Sequence, residues 1–92
     1  MTAYVVVDLN VNDAEKLAQY SALAAKSIAE YKGEFIAKSP ITVLHGGNDF
    51  TTKVIIQFPD KGSAEAWYNS HDYQGIIAIR DQAMNSQFHL LG

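Results

Sequence analysis

Apolar residues change their spacing several times along the chain, and each change marks an element. Ala3, Tyr4, Val5, Val6, Val7, Asp8 and Leu9 form a run rich in β-branched residues, too short for a buried helix and ended by Asn10 and the Asn12-Asp13 pair. This predicts a first strand. From Asp13 the period lengthens: Leu17, Tyr20, Ala24, Ile28 and Tyr31 recur every three or four residues, while Glu15, Lys16, Gln19, Lys26 and Glu30 fall mostly off that stripe. The pattern predicts a long amphipathic helix. Asn12 followed by Glu15 resembles a capping box with Asn as the cap, and Gly33 stands where a left-handed residue would end the helix.

Glu34 to Lys38 alternates as a strand does; Ser39-Pro40 interrupts it, and Ile41 to His45 resumes. Because proline cannot donate to a ladder, a bulge or an edge position is expected there. His45 to Asp49 reads as a turn and Thr51 to Phe58 as the next strand, so the two strands should form a hairpin. After Pro59, Asp60 can cap a short helix carrying Ala64, Trp67 and Tyr68, and Ser70 can cap a second helical stretch with Tyr73, Ile76, Ile77, Arg80 and Met84. Ser86 to Leu91 closes the chain as a last strand. The order β, α, β, β, α, β over residues 1–92 predicts one α+β domain of ferredoxin-like build: a four-stranded antiparallel sheet with its helices on one face.

That arrangement leaves the second face of the sheet to be explained. Had it met water, alternate strand positions should be polar. Instead Tyr4 and Val6 back Val5, Val7 and Leu9; Ile55 backs Val54, Ile56 and Phe58; and Leu91 backs Phe88 and Leu90. A second copy of the sheet is the simplest cover, giving a homodimer. At about 25 cal/mol per Å2, a face of several hundred Å2 is worth several kcal/mol per subunit, comparable with the stability of a small domain. The alternative is that these are single exposed apolar residues of the ordinary sort.

Composition narrows the range of partners. The 92 residues are 48% hydrophobic and 18% charged, with a formal charge of -3, which gives no attraction for phosphate backbones or anionic lipid. Neither nucleic acid nor a membrane is therefore expected as a partner. The chain has no Cys, which removes disulfides, thiolate metal sites and cysteine nucleophiles together. The longest apolar run, Ala3 to Val7, is short for a signal segment or a bilayer span, so a cytoplasmic location is expected.

The chemistry concentrates in Trp67-Tyr68-Asn69-Ser70-His71-Asp72-Tyr73-Gln74, followed by Arg80. Trp67 can anchor a core, Ser70 can cap, and Asp72 suits a first helical turn. Arg80 falls on an apolar stripe, where a guanidinium either snorkels to water or finds an anion. His45, His71 and His89 share no helical spacing and no metal-binding motif, so neither a metal nor a cofactor is expected. His45 ends a predicted strand beside Gly46-Gly47, where loops often carry function. No phosphate-cradling glycine run, nucleophile elbow or paired acids occur. Two functions remain. One is a site for a small organic molecule, an anion held by Arg80 being one form of it, lined by Tyr20, Trp67, Tyr68, Tyr73 and Arg80 with His45 at its edge, with a cofactor-free enzyme as its catalytic form. The other is a non-catalytic binding or assembly module whose aromatics are all core.

Phe58-Pro59-Asp60, Ala64-Glu65-Ala66-Trp67-Tyr68, Ser70, Tyr73-Gln74 and Arg80, together with the Ala-Tyr-Val opening, Tyr20 and Val43-Leu44 before Gly46, resemble the family called domain of unknown function 1330. The resemblance covers nearly the whole chain. It implies a ferredoxin-like scaffold of the dimeric α+β barrel superfamily and a candidate cleft, but no particular reaction. His71 stands where the family often has proline, and Phe50 and Lys53 where its hairpin often carries Trp and Arg; the latter changes would alter the mouth of a pocket.

Overall fold

The computed structural model describes residues 1–92 as β1 (Ala3–Val11), α1 (Ala14–Glu30), β2 (Glu34–Pro40), β3 (Thr52–Phe58), α2 (Lys61–Tyr68), α3 (His71–Gln74), α4 (Ile77–Ala83) and β4 (Met84–Leu91). The strands form one antiparallel sheet in the order β2-β3-β1-β4. The most apolar strand, β1, is thus central. Three short helices occupy the second crossover where the pattern suggested two, because the chain breaks again at Gly75-Ile76. The result is the ferredoxin-like α+β fold.

Side-chain caps set most of the helix starts. Asp60 accepts from the Ser63 backbone N–H at 2.7 Å, and Ser70 from that of Tyr73 at 3.2 Å. The cap of α1 falls one residue later than expected: Asp13 accepts from Lys16 N–H at 3.1 Å, while the backbone N–H groups of Asn12 and Asp13 both donate to the Ala83 carbonyl. The end of α1 also differs. Lys32, with φ 62°, takes the left-handed turn, and Gly33 serves a close approach instead. A Cβ on Gly33 would lie 2.6 Å from the Phe58 ring and 2.7 Å from Ile28.

Pro40 is the last residue of β2, an edge strand, whereas the register break falls between Phe35 and Ala37. The expected continuation of the strand through Ile41–His45 does not form. Its partner strand begins only at Thr52, so residues 41–51 have nothing to pair with beyond one bond from Ile41 N–H to the Thr51 carbonyl, and Leu44 is 95% exposed. Asn10 anchors the returning limb of this loop, donating to the Asp49 carbonyl and accepting from Thr51 N–H, both at 2.8 Å. Met84, expected in the last helix, is buried at the start of β4.

One face of the sheet carries the core. Val5, Val7 and Leu9 of β1 and Val54, Ile56 and Phe58 of β3 meet Tyr20, Ala24 and Ile28 of α1 and Ala64, Trp67, Tyr73 and Ile76 of the second helical segment. The Cα envelope measures 32 × 31 × 16 Å, a slab one sheet and one helical layer thick. No element covers the other face, whose character is mixed along the strands. Toward one end Tyr4 lies between Leu91 and Gln57 and Val6 between Ile55 and His89, mixing apolar and polar groups; toward the other end Asp8 lies between Lys53 and Gln87. Asp8 is only 8% exposed there, its carboxylate held by Lys53 Nζ at 3.3 Å and by Gln87 Nε2 at 2.9 Å. The outer face is thus less uniformly apolar than the alternation implied, because Asp8, Lys53, Gln57, Gln87 and His89 share it with the apolar residues.

Candidate functional site

An aromatic cluster forms where α1 crosses the second helical segment. Trp67 is fully buried; its ring centroid lies 4.4 Å from that of Tyr73 and 5.4 Å from that of Phe58. Its indole N–H donates to Ser27 Oγ at 3.0 Å, and Ser27 in turn donates to the Ala24 carbonyl at 2.8 Å. A buried indole and a buried serine on a helix interior thereby satisfy each other.

Arg80 completes the cluster. Its Nη1 donates to Tyr68 Oη at 3.0 Å and to Tyr73 Oη at 3.3 Å, its Nε donates to Asp81 Oδ1 at 3.1 Å, and the guanidinium carbon lies 5.0 Å from the Phe88 ring centre. Tyr73 Oη lies 2.7 Å from Tyr20 Oη. Burial, followed by the neighbouring Tyr73 hydroxyl, pushes the Tyr20 hydroxyl far above the ordinary phenol range. Burial also raises Tyr73, against the opposing effect of its bonds to Tyr20 and Arg80. For Arg80 burial works against the charge, and the bonds from Tyr68 and Tyr73 outweigh it, so its net direction is upward. Both Tyr20 and Tyr73 are therefore neutral phenols at physiological pH, beside a fixed cation.

The main cavity lies between α1 and the sheet. It measures about 480 Å3, and 13 of the 16 residues that line it are hydrophobic. Val7, Leu9, Val54 and Ile56 form its floor, Leu17, Tyr20 and Ala24 its roof, and Phe35 and Phe88 its flanks; Ser21, Lys38 and Thr52 are its polar members. Amphipathic periodicity explains the position: α1 turns small residues, Ala24 and Ala25, toward the sheet, and small residues leave space.

Of the residues singled out in the sequence, Tyr20 lines this cavity, and Tyr68 lines a smaller one of about 300 Å3 between α2 and β4, with Glu65, Asn69 and His89. Trp67 and Tyr73 are wholly buried, and Arg80 is clasped by the tyrosines beside them. These five residues form one connected group. His45 stands apart on the loop between β2 and β3, in a hollow with Thr42, Asn48 and Lys53. Nowhere do three or more histidine and acidic side chains gather as a metal site would require. The residues that line most of the main cavity, among them Phe35, Val54, Met84 and Phe88, went unnoticed as site residues because an apolar inward position reads as core whether or not the space before it is filled.

Fold and site together define a ferredoxin-like α+β protein with an apolar cavity beneath its long helix. The sequence pattern of the family described as Domain of unknown function (DUF1330) matches residues 2–92, and the chain belongs to that family. No curated protein matches it. Among solved structures, it is similar to RPA0582, a protein of unknown function from Rhodopseudomonas palustris, with a TM-score of 0.78 at 15% identity over 98% of this chain and 80% of that one. A dimeric ferredoxin-like protein of unknown function from Jannaschia sp. CCS1 superposes with a TM-score of 0.76 at 14% identity, over 100% and 99% of the two chains. SnoaB of Streptomyces nogalater, a cofactor-independent oxygenase, does so with 0.62 at 13% identity, over 99% and 91%. No helix of the chain is long and apolar enough to cross a membrane.

Proposed function

We propose that this protein binds a small, largely apolar organic molecule in the cavity between α1 and the sheet, each binding subunit being one half of a homodimer. The cavity carries the reading: about 480 Å3 with an apolar lining and few polar groups is the size and make-up of a small-molecule site. The homodimer is supported by the uncovered outer face, where Tyr4, Val6, Ile55 and Leu91 stand beside Gln57 and His89, and by the dimeric relative from Jannaschia. SnoaB supports oxygenation without a cofactor as an extension of the same site. Proton transfer from a substrate would need a base, and the lining offers neither carboxylate nor imidazole, only the Lys38 amine and Tyr20, which is held neutral. Binding is therefore the activity this cavity favours.

Titration with ethylbenzene, followed by amide chemical shifts, checks it. Shifts should concentrate at Leu17, Ser21, Ala24 and Phe35, and Ser21→Trp, which fills the space, should abolish them. Shifts scattered over the surface, or none, would reject the cavity as a binding site.

A further inference from the structure

Besides Lys38, which carries its own charge, one residue of the cavity wall is linked to a charge behind it: Tyr20, through Tyr73 to Arg80. Arginine carries donors only, so Tyr73 Oη must accept from Arg80 Nη1 and keeps its own hydrogen to give away. A phenol that accepts from a cation becomes a stronger donor. Its only neighbour for that hydrogen is Tyr20 Oη, 2.7 Å distant. Either hydroxyl can donate across this contact; the arrangement in which Tyr73, polarised by Arg80, donates leaves the Tyr20 O–H without an acceptor in the protein, since the bond to Tyr73 is the only one it makes. A buried donor without a partner is costly, and the one unfilled space that Tyr20 borders is the cavity.

We propose that Tyr20 is the recognition donor of the cavity and that its ligand is a small aromatic or alicyclic molecule bearing a neutral carbonyl-type oxygen, with Tyr73 and Arg80 acting as positioning residues behind it. This rests on the cavity being a binding site. The hydrogen bonds run in one direction, from Arg80 to Tyr73 to Tyr20 to the ligand oxygen, each strengthening the next. Arg80 does not touch the molecule: it lies outside the cavity lining, and its Nη1 and Nε are engaged by Tyr68, Tyr73 and Asp81. The charge favours an oxygen acceptor without demanding an anion.

Calorimetric titration with acetophenone and with ethylbenzene, which differ in one carbonyl, tests this. The ratio of the two affinities should fall about tenfold from the wild type to Tyr20→Phe, the factor that one well-made hydrogen bond supplies. In Tyr73→Phe, Tyr20 keeps its hydroxyl but loses its polarising neighbour, so the ratio should fall less. The infrared carbonyl stretch of bound acetophenone, lowered by the donor in the wild type, should move back toward its free value in that variant. A ratio unchanged in Tyr20→Phe overturns the proposal while leaving the cavity a binding site. Failure of the wild type to bind either compound overturns both.

Discussion

Burial fixes what each tyrosine of the cluster can do. Tyr20 and Tyr73 are raised above the ordinary phenol value by loss of water, so their neutral forms belong to the folded state. Their contribution to stability is complete below the unfolded tyrosine pKa of about 10 and is lost as the pH rises above it, because the unfolded chain can then ionise where the folded one resists. Absorbance at alkaline pH should therefore show these two tyrosines ionising only together with loss of the fold, and the unfolding midpoint in urea should drop as the pH passes 10; early ionisation without unfolding would contradict their burial. Trp67, Tyr68, Tyr73 and Arg80 could be picked out in the sequence because they lie within fourteen positions of one another. That Tyr20, 53 positions from Tyr73, joins them by its hydroxyl, and that it alone of the group borders the main cavity, depends on how α1 crosses the second helical segment. No local spacing reveals that. His45 was singled out for its place beside two glycines, and the same loop carries it away from the cluster.

The elements were legible wherever a period or a cap was strong. The helical stripe through Tyr20, Ala24 and Ile28 and the caps at Asp60 and Ser70 appear as expected. The misread segment, Ile41–His45, has the β-branched composition of a strand but no strand opposite it, and pairing rather than propensity decides. The junction of α1 with β2 teaches a similar lesson. Gly33 looked like a conformational requirement and proves to be a spatial one, since Phe58 and Ile28 occupy the volume a side chain would need. Gly33→Ala should consequently cost about 1–3 kcal/mol, the usual range for overpacking a core. Chemical denaturation would measure it, and a second change of Phe58→Leu should recover part of the loss. A neutral Gly33→Ala would mean that the helix end tolerates displacement.

At the scale of the whole molecule, two layers 16 Å thick shelter one side of a four-stranded sheet. Strands about 4.8 Å apart and eight residues long present on the order of 500 Å2 on the other side. Side-chain relief enlarges that surface toward the roughly 800 Å2 per partner of a stable interface. The four-stranded antiparallel sheet and the one-sided placement of the helices were readable from the succession of elements. The mixed character of the outer face was not, because it arises from register: Asp8 meets Lys53 and Gln87 across two neighbouring strands, and Val6 meets Ile55 on one side and His89 on the other. Burying Tyr4, Val6, Ile55 and Leu91 against a second copy does not strand Asp8, which already has partners in its own subunit. The mass of the intact protein under native conditions reads this account in one step. Twice the 10.1 kDa of the chain, with the added mass of one small molecule per subunit, is the predicted result, and single chains of 10.1 kDa carrying nothing at micromolar concentration would contradict it.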